Sequence, residues 1–214
     1  IIFFWVIRMI FSGYEQMKEK PFHTVLFHGL VRDSQGRKMS KSLGNGIDPL
    51  EIIEKYGADA LRLTLITGNA PGNDMRFYYE RVEASRNFAN KIWNATRFVM
   101  MNCEEQVIGQ EVRQDLWELP EQWIVSRLQK AEQAVQTAFA TYRLDLAAQA
   151  IYEFIWNEYC DWYVELTKPV LNDENMSVER KAEICRVLLA VMEASLRLAH
   201  PLMPYLTEEI WQTL

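Results

Sequence analysis

The chain has 214 residues, of which 49% are hydrophobic and 24% are charged, and its formal net charge is −6. This composition is typical of a globular protein with one large or two small domains, and it excludes a disordered chain. Charged residues, beginning with Arg8, interrupt every apolar run, which excludes a membrane-spanning stretch of roughly 18 apolar residues.

The first part of the chain predicts a helix, a strand and a loop. Dense apolar residues from Phe3 to Met17 predict a buried helix that ends or bends near Gly13, with a strand as the alternative at its start. The β-branched and aromatic run from His23 to Val31 predicts a buried strand. A basic loop then runs to Gly46.

Helices are predicted for most of the remaining chain. Asp48 followed by Pro49 is a typical helix start, with Asp as the N-cap. Breaks are predicted at Pro169, at residues 172–173 and at residues 200–201, and a polar linker at residues 102–119. The predicted helices cover residues 49–55, 58–67, 80–101, 120–141, 144–166, 177–199 and 204–214. The fold class is therefore mainly α, and the second half is a helical bundle.

The charge is divided unevenly between the two halves of the chain. Residues 1–103 hold 14 Lys and Arg against 10 Asp and Glu, whereas residues 104–214 hold 9 against 19. The first half is therefore better suited to a polyanionic partner. Two solvated domains without a nucleic-acid partner remain the alternative, because charge alone does not separate these cases.

The cysteine and histidine residues show no metal-binding pattern. Cys103, Cys160 and Cys185 are far apart, odd in number and without the pair spacing of zinc or redox sites. We therefore expect three reduced structural thiols in a cytoplasmic protein, and no metal site on the chain itself.

The run Lys38-Met39-Ser40-Lys41-Ser42 carries the clearest chemical signal. Glycines flank it, so the loop can close over a triphosphate and place two ammonium groups on oxygens that gain negative charge as pyrophosphate leaves. The two serine hydroxyls can hydrogen-bond within the loop and set its conformation. For so short a run taken alone, a solvated surface loop or a phosphorylation site is the better explanation.

The residues around this run change that interpretation. The run resembles the second signature of the class I aminoacyl-tRNA synthetases, with His28-Gly29 ten residues before Lys38 and with Gly44-Asn45 and Asp48-Pro49 after it. Residues 56–62 resemble the start of the helices that join the catalytic and anticodon-binding domains of that family. The resemblance implies the edge of a Rossmann-type catalytic domain, with few strands, followed by an all-α bundle. Its expected divisions are a catalytic part at 1–50, a stem-contact linker region at 51–103 and a truncated anticodon-binding bundle at 104–214.

The resemblance also implies roles for individual residues. Lys38 and Lys41 would stabilise the ATP phosphates while the adenylate forms, and Ser40 would support the loop. ATP would arrive with Mg²⁺ as a substrate complex, with no tightly bound cofactor. The implied ATP-binding residues are His28, Gly29, Leu30, Val31, Lys38, Met39, Ser40, Lys41 and Ser42. Taken without the resemblance, His28 is better explained as a packed residue at a strand end.

Four further segments resemble the valine branch of the family, namely residues 2–9, 28–33, 73–77 and 87–95. By this resemblance Ile1 and Trp5 line the amino-acid pocket, although a tryptophan in an apolar helix is more often plain core. The implied partners are ATP, valine and tRNA(Val), and the whole enzyme is expected to be monomeric. The isoleucine and leucine branches remain alternatives.

In the second half, the resemblance implies that Arg127, Lys130 and Arg143 contact tRNA phosphates. The charge of this half, −10 by the counts for residues 104–214, argues against strong nonspecific affinity for nucleic acid. Six aromatic residues invite a base-stacking interpretation, but their helical spacing favours core packing for most of them. They are Trp123, Trp156, Tyr159, Trp162, Tyr163 and Trp211.

The first signature of the family, a His-x-Gly-His run, does not occur in this sequence, and no editing domain is recognisable in it. We therefore expect an interior part of a longer enzyme that forms no adenylate by itself. The alternative from another functional class is a noncatalytic tRNA-binding helical module that retains a degenerate catalytic edge.

Overall fold

The computed structural model describes residues 1–68, 70–103 and 111–214, and this part of the chain is mostly helical. The expectation of a mainly α fold is confirmed. The helices are α1 (Ile7–Met17), α2 (Pro49–Tyr56), α3 (Ala58–Ile66), α4 (Tyr79–Asn102), α5 (Leu119–Ala140), α6 (Leu144–Tyr152), α7 (Val164–Asn172), α8 (Val178–Ala199) and α9 (Pro204–Thr213). Wider π-helical turns cover Ile2–Val6 and Glu153–Tyr163, and tighter 3₁₀ turns cover Lys41–Leu43 and Gln114–Leu116. Strands β1 (Val31–Arg32) and β2 (Met75–Arg76) pair in parallel.

The predicted helix starts are confirmed where a side chain caps them. The Asp48 carboxylate accepts a hydrogen bond from the Leu50 N–H at 2.8 Å at the start of α2. Ser177 caps α8 in the same way, accepting from the Arg180 N–H at 3.2 Å. Each cap satisfies a backbone donor that has no partner within its own helix, so these boundaries are encoded locally.

The predicted break at Pro169 is wrong. The helix that begins at Leu144 continues through the π-helical turns and α7 to Asn172, with Pro169 inside α7. A proline there removes one hydrogen bond to the Glu165 carbonyl. Pro169 and Glu165 both lie on the exposed face, where water can bind that carbonyl, while Thr167 on the other face is buried. Packing of the inner face therefore maintains the helix past the proline.

The N-terminal helix is present, but the expectation that it is buried is wrong for the described residues. Phe3 is 78% exposed and Phe11 is 70% exposed. The helix also passes Gly13 without a break and ends at Met17, before Lys18 in the left-handed conformation. A Cβ at Gly13 would lie 2.8 Å from Pro21 Cδ. This glycine therefore permits the close return of the following chain and does not end the helix.

The predicted strand at residues 23–31 is also wrong for most of its length. Strand pairing begins only at Val31, because β2 offers a partner to just two residues. Val25, Leu26 and Phe27 have no regular secondary structure and are exposed. An apolar run forms a strand only where a neighbouring strand satisfies its backbone, and the described residues supply one short neighbour.

The buried apolar residues form two clusters. The larger joins α4 to the bundle α5–α9 and contains Phe88, Ile124 and Leu188. The smaller contains Ile52 and Phe77, and the partly buried Val31 and Met39 pack against it. The three cysteines are free thiols, of which Cys160 and Cys185 are buried. No helix in the described part of the chain is long and apolar enough to cross a membrane. Part of the predicted linker, residues 104–110, lies outside the described residues.

Candidate functional site

Ser40 sets the conformation of the lysine loop, residues 38–42. Its backbone is extended, and its Oγ accepts from the Leu43 N–H at 3.3 Å, so it caps the 3₁₀ turn Lys41–Leu43. The Ser40 and Ser42 hydroxyl oxygens lie 3.2 Å apart, within hydrogen-bonding distance. Gly44 ends the turn at a φ of 61°, a value that a glycine adopts without strain. The two serines thus interact within the loop, as the sequence suggested.

A polar pair that the sequence analysis missed holds this loop against the strand. The Asn45 side chain accepts from the Ser40 N–H at 3.0 Å and donates to Asp33 Oδ2 at 2.9 Å. Asp33 Oδ1 accepts from the Gln35 and Arg37 N–H groups at 3.1 and 2.7 Å. The hydrogen bond from Asn45, with further donors from Arg37, lowers the pKa of Asp33 to about 2. At neutral pH Asp33 is therefore an ionised carboxylate that accepts from the neutral side-chain amide of Asn45.

The two lysines of the loop lie at the surface. Lys38 and Lys41 are exposed, and within the described residues the structure records no ion pair for either. Between them, Met39 is partly buried against the smaller apolar cluster. The Lys38 carbonyl also accepts from Asn45 Nδ2 at 3.3 Å. The backbone is thus anchored at Met39 and Asn45, while two ammonium groups remain available to an anionic ligand.

The segment from His28 to Val31 is fixed by the backbone next to β2. A Cβ on Gly29 would lie 1.7 Å from the Asn73 carbonyl oxygen, so no larger residue fits there. Asp74 accepts from the Leu30 N–H at 2.7 Å and from the Arg32 guanidinium at 2.5 Å. The Leu30 N–H, and after it Arg32, lower the pKa of Asp74. In the sequence, Asp33 and Asp74 stood out only as members of the segments 28–33 and 73–77, with no role predicted for either.

A cavity of about 470 Å³ brings together residues predicted for two different ligands. Ile1 and Trp5, expected in an amino-acid pocket, line it together with His28 and Leu30, expected beside the nucleotide. Trp5 is 61% exposed, so it is not a core residue in the described part of the chain. The His28 Nδ1 lies 2.8 Å from the Gly29 carbonyl oxygen.

The three basic residues predicted to contact tRNA differ in their surroundings. Arg127 forms a two-pronged ion pair with Glu158, and Arg143 forms one with Asp145 at 2.9 and 2.7 Å. Hydrogen bonds to these carboxylates raise the pKa of both arginines. Lys130 is exposed, and within the described residues no ion pair is recorded for it. Of the three, Lys130 is the most readily available to a phosphate.

The aromatic residues of the bundle serve packing in most cases, as expected. Tyr159 and Tyr163 are fully buried, and the Tyr159 hydroxyl donates to the Leu188 carbonyl at 3.0 Å. Trp156 stacks on Tyr152 with ring centroids 5.4 Å apart. Trp123 packs against the larger cluster, whereas Trp162 and Trp211 are exposed.

Family comparisons agree with this arrangement. A model of the "tRNA synthetases class I (I, L, M and V)" matches residues 1–78, which include the lysine loop, and a model of the "Anticodon-binding domain of tRNA ligase" matches residues 121–214. The chain belongs to the class I tRNA synthetases. The synthetase match ends just before α4, the long helix that leads toward the bundle.

Among relatives of this synthetase chain, the valine--tRNA ligase of Acinetobacter baylyi is 60% identical over the whole chain, and that of Clostridium tetani is 57% identical over 99% of it. The chain covers 26% and 24% of those two proteins, about a quarter of their length. The valine--tRNA ligase of Listeria monocytogenes is 50% identical over the whole chain, which covers 24% of it.

Solved structures of other class I synthetases share the fold. A LeuRS from Agrobacterium radiobacter K84, solved as a ternary complex with tRNA and LeuAMS, superposes with a TM-score of 0.70 at 21% identity, covering 96% of this chain and 24% of that one. The methionyl-tRNA synthetase of Mycobacterium tuberculosis, solved with methionyl-adenylate, gives 0.67 at 22% identity, covering 86% and 36%. The expected combination of a Rossmann-type edge and a helical bundle is thereby confirmed.

Proposed function

We propose that this chain is the part of a valine--tRNA ligase that manages the ATP phosphates and holds the anticodon region of tRNA(Val). The whole enzyme activates valine with ATP and transfers it to tRNA(Val). One observation carries the proposal: the complete lysine loop is held by Asp33 and Asn45 in a chain that is 60% identical to a valine--tRNA ligase. Residues 1–50 belong to the catalytic domain, 51–103 to a stem-contact linker region and 104–214 to the anticodon-binding bundle of a monomeric cytoplasmic enzyme.

The loop acts while pyrophosphate leaves. The valine carboxylate attacks the α-phosphorus of ATP, the bond from that phosphorus to the bridging oxygen breaks, and negative charge grows on the departing phosphates. Lys38 and Lys41 place their ammonium groups against those oxygens. Their attraction to the phosphates is stronger in the transition state than in bound ATP, and this difference raises the rate. Asp33 and Asn45 hold the backbone of the lysine loop in a fixed conformation, so less of the loop has to be ordered during the reaction.

The remaining residues of the site bind and orient the substrates. The backbone of residues 28–31 lies against the nucleoside, where Gly29 permits a close approach of chains. Ile1 and Trp5 form the apolar wall for the isopropyl group of valine. Ammonium and hydroxyl groups of the loop suit phosphate oxygens rather than a divalent cation, so Mg²⁺ enters with ATP and is held chiefly by phosphates and water. In the bundle, Lys130, Arg127 and Arg143 face the tRNA backbone.

Substitution of Lys41 in the whole enzyme tests this function. Lys41→Ala is expected to lower the rate of valine-dependent pyrophosphate exchange by about 100-fold, the usual effect of removing one transition-state donor. Valine affinity, measured by calorimetry, is expected to change by less than about twofold because the ammonium group does not touch the amino acid.

Lys20→Ala is the matched control, since Lys20 is an exposed lysine outside the loop. It is expected to leave both quantities unchanged. If Lys41→Ala weakened valine binding as much as it slowed exchange, the role in the transition state would be rejected. If the unmodified enzyme gave exchange with leucine or isoleucine but not with valine, the assignment to the valine branch would be rejected.

A further inference from the structure

Helix α3 of the linker region contacts the bundle at the turn between α8 and α9 by directed polar contacts. Asp59 accepts from the N–H groups of Leu206 at 2.7 Å and Tyr205 at 3.5 Å. Arg62 donates to the carbonyl oxygens of Leu202 at 3.4 Å and Pro201 at 3.2 Å. We call Asp59, Arg62 and the backbone of residues 201–206 the clasp. It joins residues that are about 140 positions apart in sequence.

Asp59 supplies a helix cap that α9 does not supply for itself. Met203, at the N-cap position, makes no side-chain cap, and Pro204 has no N–H, so Tyr205 and Leu206 carry the first free donors of that helix. The buried carboxylate of Asp59 accepts from both. Asp59 also lies in the first turn of α3. One negative charge therefore stabilises the positive ends of two helices from different regions of the chain.

Arg62 makes the complementary contact one turn later. Residues three apart share a face of a helix, so α3 presents a carboxylate and a guanidinium side by side. The guanidinium binds the carbonyl oxygens of Pro201 and Leu202, which lie in the turn between the end of α8 and the start of α9. The carboxylate thus accepts from N–H groups at the start of α9, while the guanidinium donates to carbonyl groups of the preceding turn. Exchanging the two side chains would place a donor against donors and an acceptor against acceptors.

Apolar packing alone does not fix this orientation. Leu202 and Met203 are buried in the larger cluster next to the clasp, and α4 packs along the same bundle. Such burial holds surfaces together but is non-directional, whereas hydrogen bonds to charged groups require defined distances and angles. The four clasp contacts are therefore suited to select one orientation from those that burial permits.

We propose that Asp59 and Arg62 are positioning residues that fix the anticodon-binding bundle relative to the catalytic edge, and so place the acceptor end of a bundle-bound tRNA for charging. This inference rests on the proposed function. Neither residue touches ATP or valine in it, so both act on the second half-reaction and not on the first.

The test uses the whole enzyme with Asp59→Ala and Arg62→Ala. Each is expected to lower kcat/KM for tRNA charging by about tenfold, the usual scale for one hydrogen bond to a charged group, with pyrophosphate exchange within about twofold of the unmodified enzyme. In the double variant, the fold-decrease in kcat/KM is expected to be smaller than the product of the two single decreases. Either substitution alone already releases the orientation of the bundle. Arg62→Lys is expected to recover part of the rate, and Glu54→Ala, an exposed acid on α2, to change nothing.

A parallel fall in exchange and charging would show a merely structural role and overturn the proposal, as would unchanged charging in both alanine variants. A second measurement does not depend on the enzyme's activity. In the 214-residue chain, Arg62→Ala is expected to speed amide hydrogen exchange at Leu206, which Arg62 does not touch. If the unmodified enzyme gave no valine-dependent exchange, the proposed function would fail. The clasp would then be tested by amide hydrogen exchange at Leu206 alone. An unchanged exchange rate at Leu206 in Arg62→Ala would reject the clasp.

Discussion

Substitution of Asn45 tests whether a preformed loop matters to the chemistry. Asn45 makes three hydrogen bonds, to the Ser40 N–H at 3.0 Å, Asp33 Oδ2 at 2.9 Å and the Lys38 carbonyl at 3.3 Å. Removing it by Asn45→Ala breaks all three. At about 0.5–1.5 kcal/mol for each bond, and with the backbone groups free to bind water, the net loss of loop order is about 2 kcal/mol. That energy corresponds to about a 30-fold change in the equilibrium constant between the ordered and the disordered loop.

We therefore expect kcat of valine-dependent pyrophosphate exchange in the whole enzyme to fall by up to about 30-fold in Asn45→Ala, with the KM for valine little changed, because the loop is ordered for the transition state. Asn45→Asp is the matched variant. It keeps the shape and an acceptor for the Ser40 N–H, but it sets a carboxylate against Asp33, whose oxygen lies 2.9 Å from the Asn45 nitrogen. Repulsion between the two is expected to make this variant no better than alanine.

Steady-state exchange assays at several ATP and valine concentrations separate these effects. Wild-type kinetics in both variants would refute the idea that the loop is preformed by Asn45. A rise in the KM for valine with unchanged kcat would place Asn45 in amino-acid binding instead.

Three further outcomes are expected. Gly29→Ala forces a Cβ to 1.7 Å from the Asn73 carbonyl, so it is expected to destabilise the chain by about 2 kcal/mol in urea unfolding; an unchanged midpoint would contradict this close approach. Tyr159→Phe removes the buried hydrogen bond to Leu188 and is expected to cost about 1 kcal/mol in the same assay, whereas a neutral effect would contradict it. The pKa of Asp33 is lowered from 3.8 to about 2, so the stability that its carboxylate adds relative to Asp33→Asn is complete above pH 3.8 and is lost as the pH falls through 2. Unfolding of both proteins followed by circular dichroism at several pH values measures this difference. A stability difference that grew on acidification would contradict the prediction.

The sequence alone determined the features that depend on neighbouring residues. Helical periodicity located α2 and α8, and Asp48 was recognisable as the cap of α2 because a cap and its donor are only two residues apart. The lysine loop, its flanking glycines and the helix start at Asp48 formed a motif of the family within about twenty residues. Each of these signals lies within a short stretch of chain, so it can be recognised without knowledge of the tertiary packing.

Only the tertiary structure decided the features that depend on distant partners. The run at residues 23–31 has strand composition, yet pairing begins at Val31 because its partner is a two-residue strand from residues 75–76. Arg127 and Lys130 are similar cations in sequence, but Glu158 on a following helical turn engages only the first. In the sequence, Asp59 is one acidic residue in the first turn of a helix. Its role as a cap depends on N–H groups of α9, and the Leu206 N–H that it binds lies 147 residues away in sequence. A side chain's role here follows from which group packing places opposite it, and one local stretch of sequence does not contain that information.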